Sequence, residues 1–187
     1  MKISIEGNIG SGKSTLLDNL MTQHKVILED ISEWKSWIEE FYKDQKKNSF
    51  GFQMRVLLSQ SYIKFSKDFT FHERSPFTCN HIFGELLKKN GFLSELEYNL
   101  CLEFSEKYCW KPDAIIYIRT DPEVCKKRVD KRSREGENIT IDYLKDLHNQ
   151  HEKVYNSDEN NKIYIIDGNN DENTIYQNVE YIIKELH

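Results

Sequence analysis

A chain of 187 residues is long enough to bury a substantial core within one domain, read here as residues 1–187. Its formal charge of −5 argues against a nucleic-acid-binding surface, which is ordinarily basic. No apolar run approaches the ~20 residues of a membrane span, no secretory signal precedes residue 7, and Cys79, Cys101, Cys109 and Cys125 show no C-x-x-C spacing, so the expectation is a cytosolic protein with reduced thiols (the host cytosol if the source is a virus).

Lys2 to Glu6 reads as a short buried strand. It runs into Gly7, Asn8, Ile9, Gly10, Ser11, Gly12, Lys13 and Ser14, which fit the eight-position phosphate-loop pattern, with Thr15 opening the helical run to Met21. Glycines let the backbone curl so that successive N–H groups face one anion, and the following helix adds its positive end. Lys13 can reach the outer phosphates and the Ser14 hydroxyl can ligate Mg2+, so the pattern implies a bound nucleoside triphosphate.

Lys25 to Leu28 suits a buried parallel strand ending at Glu29 and Asp30. Ser32 to Lys43 and Phe52 to Phe65 read as helices, the second with apolar residues at 52, 56, 57, 58, 62, 63 and 65. Phe69 to Ser75 reads as a third strand, and Ser75-Pro76 as an N-cap with proline at the first helical position. Two helices follow, over 77–88 and 93–109, around the turn signal Asn90-Gly91. Asp113 to Arg119 is a fourth strand. Thr120-Asp-Pro-Glu123 reads as a capping box opening a helix to about Arg132. A charged loop, a helix over Thr140 to Val154, a fifth strand over Lys162 to Asp167 and a helix over Glu172 to Leu186 complete the chain. Five strands alternating with helices predict an α/β fold of phosphate-loop type: three layers, a five-stranded parallel sheet with helices on both faces, ligands at the strands' carboxyl ends.

Because kinases, GTPase switches, motors and transport ATPases share the phosphate loop, the ends of strands two and three must discriminate. Glu29 could take the proton of a neutral hydroxyl acceptor during phosphoryl transfer. Arg74 could neutralise charge on the transferring group, and Glu73 could hold Mg2+ directly or through water.

In order along the chain stand Gly7 to Ser14, Glu29-Asp-Ile-Ser-Glu-Trp34, Tyr42, Phe52-Gln53, Glu73-Arg-Ser75, Arg119-Thr-Asp-Pro-Glu-Val124, Arg128, Arg132-Ser-Arg134-Glu-Gly-Glu137 and Tyr143-Leu-x-x-Leu-His148. This series resembles the deoxyribonucleoside kinase family, from residue 2 to about 155. The resemblance implies ATP-dependent phosphorylation of a deoxynucleoside 5′-hydroxyl by a small-molecule enzyme, with Glu29 as general base and Arg74 and Lys13 on the phosphoryl group. It implies Tyr42 and Glu137 on the sugar 3′-hydroxyl, Gln53 on the base, and Trp34, Phe52 and Phe83 as aromatic walls. Arg128, Arg132 and Arg134 fall on an arginine-rich lid, and Asn170, Asp171 and Glu172 sit where the family cradles adenine. It also implies a homodimer packed through the 77–109 region and the helix after the lid.

The chain departs from the family pattern at Asp30, where many members have proline, at Gly136 and at Asn80. Gln60 and Cys79 replace the arginine and aspartate of purine-accepting and deoxycytidine-type members. A small neutral Cys79 leaves room for a 5-methyl group, so the expectation is a pyrimidine substrate, thymidine and/or deoxycytidine. The rival is a nucleoside monophosphate kinase of the thymidylate kinase type, which needs cations for its acceptor and no base. A GTPase switch would need an Asn-Lys-x-Asp sequence, which Asn161-Lys-Ile-Tyr164 lacks.

Overall fold

The computed structural model describes residues 1–65, 69–133, 139–157 and 162–186. The chain divides into two compact units: Met1–Leu28 with Ser66–Arg74 and Pro112–His187, and Glu29–Phe65 with Ser75–Lys111.

The first unit is built on five parallel strands: β1 (Lys2–Gly7), β2 (Lys25–Ile27), β3 (Thr70–Glu73), β4 (Ala114–Arg119) and β5 (Ile163–Asp167), in the order β2-β3-β1-β4-β5. The chain leaves β1 toward one edge and later returns to add β4 on β1's other side, so the carboxyl end of β1 lies at the topological switch point. In register, Ile3 pairs with Phe71 and Ala114, and Ile5 with Glu73 and Ile116. Those residues share one face, where α1 (Lys13–Leu20) and α9 (Glu172–Leu186) bury Leu16, Leu17, Leu20, Ile175, Val179, Ile182 and Ile183 on it. Each such side chain withdrawn from water contributes about 1.5–3 kcal/mol. The other face is more polar. Ser4 and Glu6 are fully buried there, and Tyr117 meets His151 and Tyr155 of α8 (Ile141–Ser157). Helix α7 (Pro122–Arg132) packs on α8 through Cys125, Val129, Ile139 and Leu144.

Three expectations change in this unit. β2 is a half-buried edge strand rather than a fully buried one, because among the described residues only β3 flanks it. Thr120 does not cap α7: Asp121 holds the cap position without a side-chain bond, and the Thr120 hydroxyl donates instead to Ser11 O at 3.2 Å. The third strand is shorter than 69–75, ending at Glu73 because Arg74 turns into the left-handed region at φ 55°.

The second unit is helical. A 3₁₀ turn, Ile31–Trp34, leads into α2 (Lys35–Lys43) and α3 (Gln45–Ser61). α3 spans 45–61 rather than 52–65, since Asp44 caps it by accepting from Lys47 N at 3.1 Å. Gly51 lies within that helix, where a Cβ would sit 3.0 Å from the Trp37 ring; its bareness allows α2 and α3 to approach closely. Ser75 caps α4 (Pro76–Thr78), which continues as a π-helical segment, Cys79–Gly84, and then α5 (Glu85–Lys89). α6 (Glu95–Tyr108) starts on a capping box formed by Ser94 and Glu97. No helix among the described residues is long and apolar enough to cross a membrane.

Candidate functional site

In the first unit, Gly7, Gly10 and Gly12 all take positive φ (149°, 80° and 101°), which curls residues 8–12 between β1 and α1. Side chains are excluded as well as disfavoured. A Cβ on Gly7 would lie 2.7 Å from Ile118 O, and one on Gly10 2.6 Å from Cys125 O. Lys13 folds over the loop and donates to Gly7 O (3.1 Å) and Asn8 O (2.9 Å). Asn8 accepts from Ile9 N through Oδ1 and donates through Nδ2 to Leu144 O of α8, both at 2.8 Å. Burial pushes the neighbouring Cys125 thiol up to about 11, so it remains protonated packing rather than a nucleophile.

Ser14 Oγ donates to Glu73 Oε1 at 3.1 Å, and Glu73 is buried. A hydroxyl and a carboxylate side by side are the hard oxygen donors a magnesium ion takes alongside waters and phosphate oxygens. Arg74 follows at once. Its φ of 55° is strained for a residue with a side chain. Backbone contacts hold it there: Arg74 N donates to Ile5 O at 3.1 Å, and His72 Nδ1 lies 2.7 Å from Arg74 O. Desolvation outweighs those hydrogen bonds and lowers the His72 pKa, so the ring is neutral.

Arg128 bridges two loops, donating to Ser11 O of the phosphate loop (3.0 Å) and Gly168 O after β5 (3.1 Å). Gly168 also donates to Arg119 O at 2.7 Å, and a Cβ on it would fall 2.0 Å from Thr120 Oγ1. Of the expected adenine cradle, Asn170 Nδ2 donates to Asp167 O (3.3 Å), and Asp171 accepts from Thr174 N (3.1 Å). That bonding with Thr174 holds the Asp171 carboxyl below its ordinary pKa. Glu172 opens α9. Arg132 ends α7; Arg134 and Glu137 lie outside the described residues.

In the second unit, Glu29 is half-buried and its carbonyl accepts from Ile31 N at 3.1 Å. The adjacent Asp30 is taken up as the cap of the 3₁₀ turn, accepting from both Ser32 N and the Ser32 hydroxyl. The hydroxyl bond leads the causes that lower its pKa. Trp34 packs in one buried cluster with Cys79, Val56, Leu57 and Phe52, while its indole N–H meets no acceptor among the described residues. Phe41 links the rings of Phe52 (5.2 Å) and the more exposed Tyr42 (5.3 Å). Gln53 Nε2 donates to Cys79 O at 2.6 Å. Phe83 is half-buried on the π-helical segment. Gln60 is only 2 % exposed, and its Oε1 accepts from Trp110 Nε1 at 2.8 Å, an engagement that makes it a brace between α3 and the end of α6.

The sequence reading therefore gathers Gly7 to Ser14 with Glu73, Arg74 and Arg128 in one unit, and Trp34, Phe52, Gln53 and Cys79 in the other. It missed Asn8's tie to Leu144, and Thr120 and Gly168 at the phosphate loop. Only the glycine after β5 offered a signal, as a residue fit for close approach.

The chain matches the family described as deoxynucleoside kinase over residues 3–187. A protein of Invertebrate iridescent virus 3 named as a kinase is 37% identical over 172 residues, covering 89% of this chain and 88% of the viral one. Human mitochondrial thymidine kinase 2 is 31% identical over 81% of this chain and 63% of the human one. A solved structure of deoxyadenosine kinase from M. mycoides, with products dCMP and a flexible dCDP bound, superposes with a TM-score of 0.89 over all of both chains at 23% identity, a likeness of fold.

Proposed function

This chain belongs to the deoxynucleoside kinase family, and from that premise we propose that it transfers the γ-phosphoryl group of ATP to the 5′-hydroxyl of a pyrimidine deoxynucleoside, thymidine or deoxycytidine. The family makes it an enzyme that phosphorylates nucleosides from a nucleotide donor. The single observation that carries the donor side is Ser14 Oγ at 3.1 Å from Glu73, on a glycine loop whose Lys13 is already folded over it. This arrangement supplies N–H groups and an ammonium for the phosphates, and an oxygen pair suited to Mg2+. Bound Mg2+ would offset phosphate charge there.

In this reading the 5′ oxygen attacks the γ-phosphorus, the bond to the β–γ bridging oxygen breaks, ADP leaves, and the hydroxyl proton passes to the Glu29 carboxylate. Arg74 and Lys13 balance charge on the transferring group, joined by Arg128, Arg132 and Arg134 from a lid. Trp34, Phe52 and Phe83 flank the base, Gln53 reads it, and Tyr42 and Glu137 hold the 3′-hydroxyl. Small, neutral Cys79 leaves room for pyrimidine substituents. Asn170, Asp171 and Glu172 border the donor base. Residues 1–187 work as one kinase domain, as a homodimer in the cytosol. What supports the dimer is Leu96 (83 % exposed), Leu100 and Tyr108 standing out on α6.

The test is a panel of the four deoxynucleosides and their monophosphates with ATP. Thymidine and/or deoxycytidine should be the best acceptors. A purine preference would refute the substrate class, and phosphorylation of monophosphates alone would replace the reaction with that of a thymidylate-type kinase. A monomeric mass at micromolar concentration would remove the dimer.

A further inference from the structure

We propose that His72 is a positioning residue for phosphoryl transfer: its Nδ1–H clamps the backbone carbonyls of Glu73 and Arg74 and so fixes the left-handed turn that aims the Arg74 guanidinium. The inference rests on the nucleoside-kinase reading above and concerns the sheet unit throughout.

A histidine ring nitrogen can donate or accept, and its partners decide which. His72 Nδ1 lies 2.9 Å from Glu73 O and 2.7 Å from Arg74 O. A backbone carbonyl can only accept, so Nδ1 carries the hydrogen in either charge state of the ring and shares it between two oxygens. Along an extended strand successive residues face opposite sides, and consecutive carbonyls diverge. Two of them converge on one N–H only where the chain leaves the strand between them. That happens at Arg74, whose φ of 55° ends β3. Left-handed backbone disfavours any residue with a Cβ and persists only where the surroundings over-determine it. Arg74 N, donating to Ile5 O at 3.1 Å, fixes the near side of the turn, and the imidazole fixes the far side.

Sheet register puts the ring where it can do this. His72 pairs with Ser4 of β1 and Ile27 of β2, and at 1 % exposure it is buried away from solvent that would compete for its N–H. An apolar side chain would fill the same buried position; only the N–H adds the clamp. The two residues clamped carry the chemistry. Glu73 Oε1 accepts from Ser14 Oγ at 3.1 Å. Beyond burial, the main cause, the positive charges of Lys13 and Arg74 hold down the pKa of His151, so ammonium and guanidinium act on one buried ring. Returning residue 74 to an extended conformation would swing its Cβ off that side.

Long-range 1H–15N spectra of the protein read the ring directly. Nδ1 should be protonated, and a proton on Nε2 alone would overturn the proposal. Kinetics with ATP and a deoxynucleoside test the consequence. His72→Leu keeps an apolar side chain but no donor, and kcat should fall about tenfold, the loss expected for one hydrogen bond at a buried group, with the nucleoside KM within about twofold. His72→Asn places an amide N–H where Nδ1 stands and should return kcat to within about threefold of wild type. In an Arg74→Ala background, followed by single turnover, His72→Leu should cost less than about twofold more, because no guanidinium is left to aim. An equal loss in both backgrounds, or an Asn variant as slow as the Leu variant, would overturn the positioning role. If the wild-type protein phosphorylates no deoxynucleoside, the kinase reading itself falls and the spectra still decide the clamp; a His72→Leu variant as fast as an active wild type sinks only this inference.

Discussion

In the function proposed above, the two units would achieve specificity by different means. In the phosphate loop of the sheet unit two glycines stand against backbone, Gly7 against Ile118 O and Gly10 against Cys125 O. In the helical unit the approaches are looser, Gly51 on the Trp37 ring at 3.0 Å and Gly84 on the Gln53 amide and Cys79 O at 3.2 and 3.3 Å. A triphosphate has the same shape on every donor, so its cradle can be cast in backbone N–H groups. A base varies at its edge, so in the function proposed above its site would draw on an amide, a thiol and aromatic rings, which single substitutions can re-tune.

The largest effect that could break this division is chemical. Glu29→Gln should lower kcat by roughly 10²–10⁴ while leaving nucleoside and ATP binding in place. Single-turnover and binding measurements will separate the two, and near-normal turnover would remove Glu29 from the role of base.

Gly10→Ala should cost about 3 kcal/mol or more in chemical denaturation, since φ of 80° adds strain to a 2.6 Å collision with backbone. Gly84→Ala should cost about 1 kcal/mol, because its φ of −62° suits alanine and the Gln53 amide and Cys79 O, at 3.2 and 3.3 Å, need give by only a few tenths of an ångström. Equal costs would erase the contrast between a backbone-cast unit and a side-chain-built one.

A pH effect can be followed at one buried ring of the sheet unit. Burial, the leading cause, drives the His151 pKa down to about 3, against 6.5 in an unfolded chain. The folded ring stays neutral while the unfolded ring binds a proton, so this residue removes stability as pH falls from about 6.5 toward 3, at up to ~1.4 kcal/mol per pH unit. His151→Phe keeps a ring against Tyr117 and should flatten that part of the stability profile; a parallel profile would mean that other groups carry it.

A modest change is expected of Asn8→Ala. It removes the bonds to Leu144 O and Ile9 N, at about 1–2 kcal/mol, and should raise the KM for ATP several-fold with the nucleoside KM unmoved. A shift in the nucleoside KM instead would show that the two units do not divide the work as described.

Much of this molecule was legible in its residues because the signals are local. Gly7 to Ser14 announces its turn through glycines that only positive φ explains, and β4 announces itself as an unbroken apolar run. Ser75-Pro76 caps the helix it was expected to open. The errors fell where a distant group outcompeted a local preference. Thr120 could cap α7, but its hydroxyl bonds Ser11 O, 109 residues away. The π-helical segment gives no sign in residues 79–84, because it accommodates close packing that no stretch of sequence displays.

Read alone, the amino-acid order determined the phosphate loop, five strands separated by helices and membership of a kinase family, since hydrophobic period, glycine and capping chemistry act over a few residues. The tertiary structure alone decided the strand order, the pairing of Ser14 with Glu73 and the direction in which the Gln53 amide faces. Each depends on which distant carbonyl or carboxylate arrives within hydrogen-bond reach, a matter settled by packing.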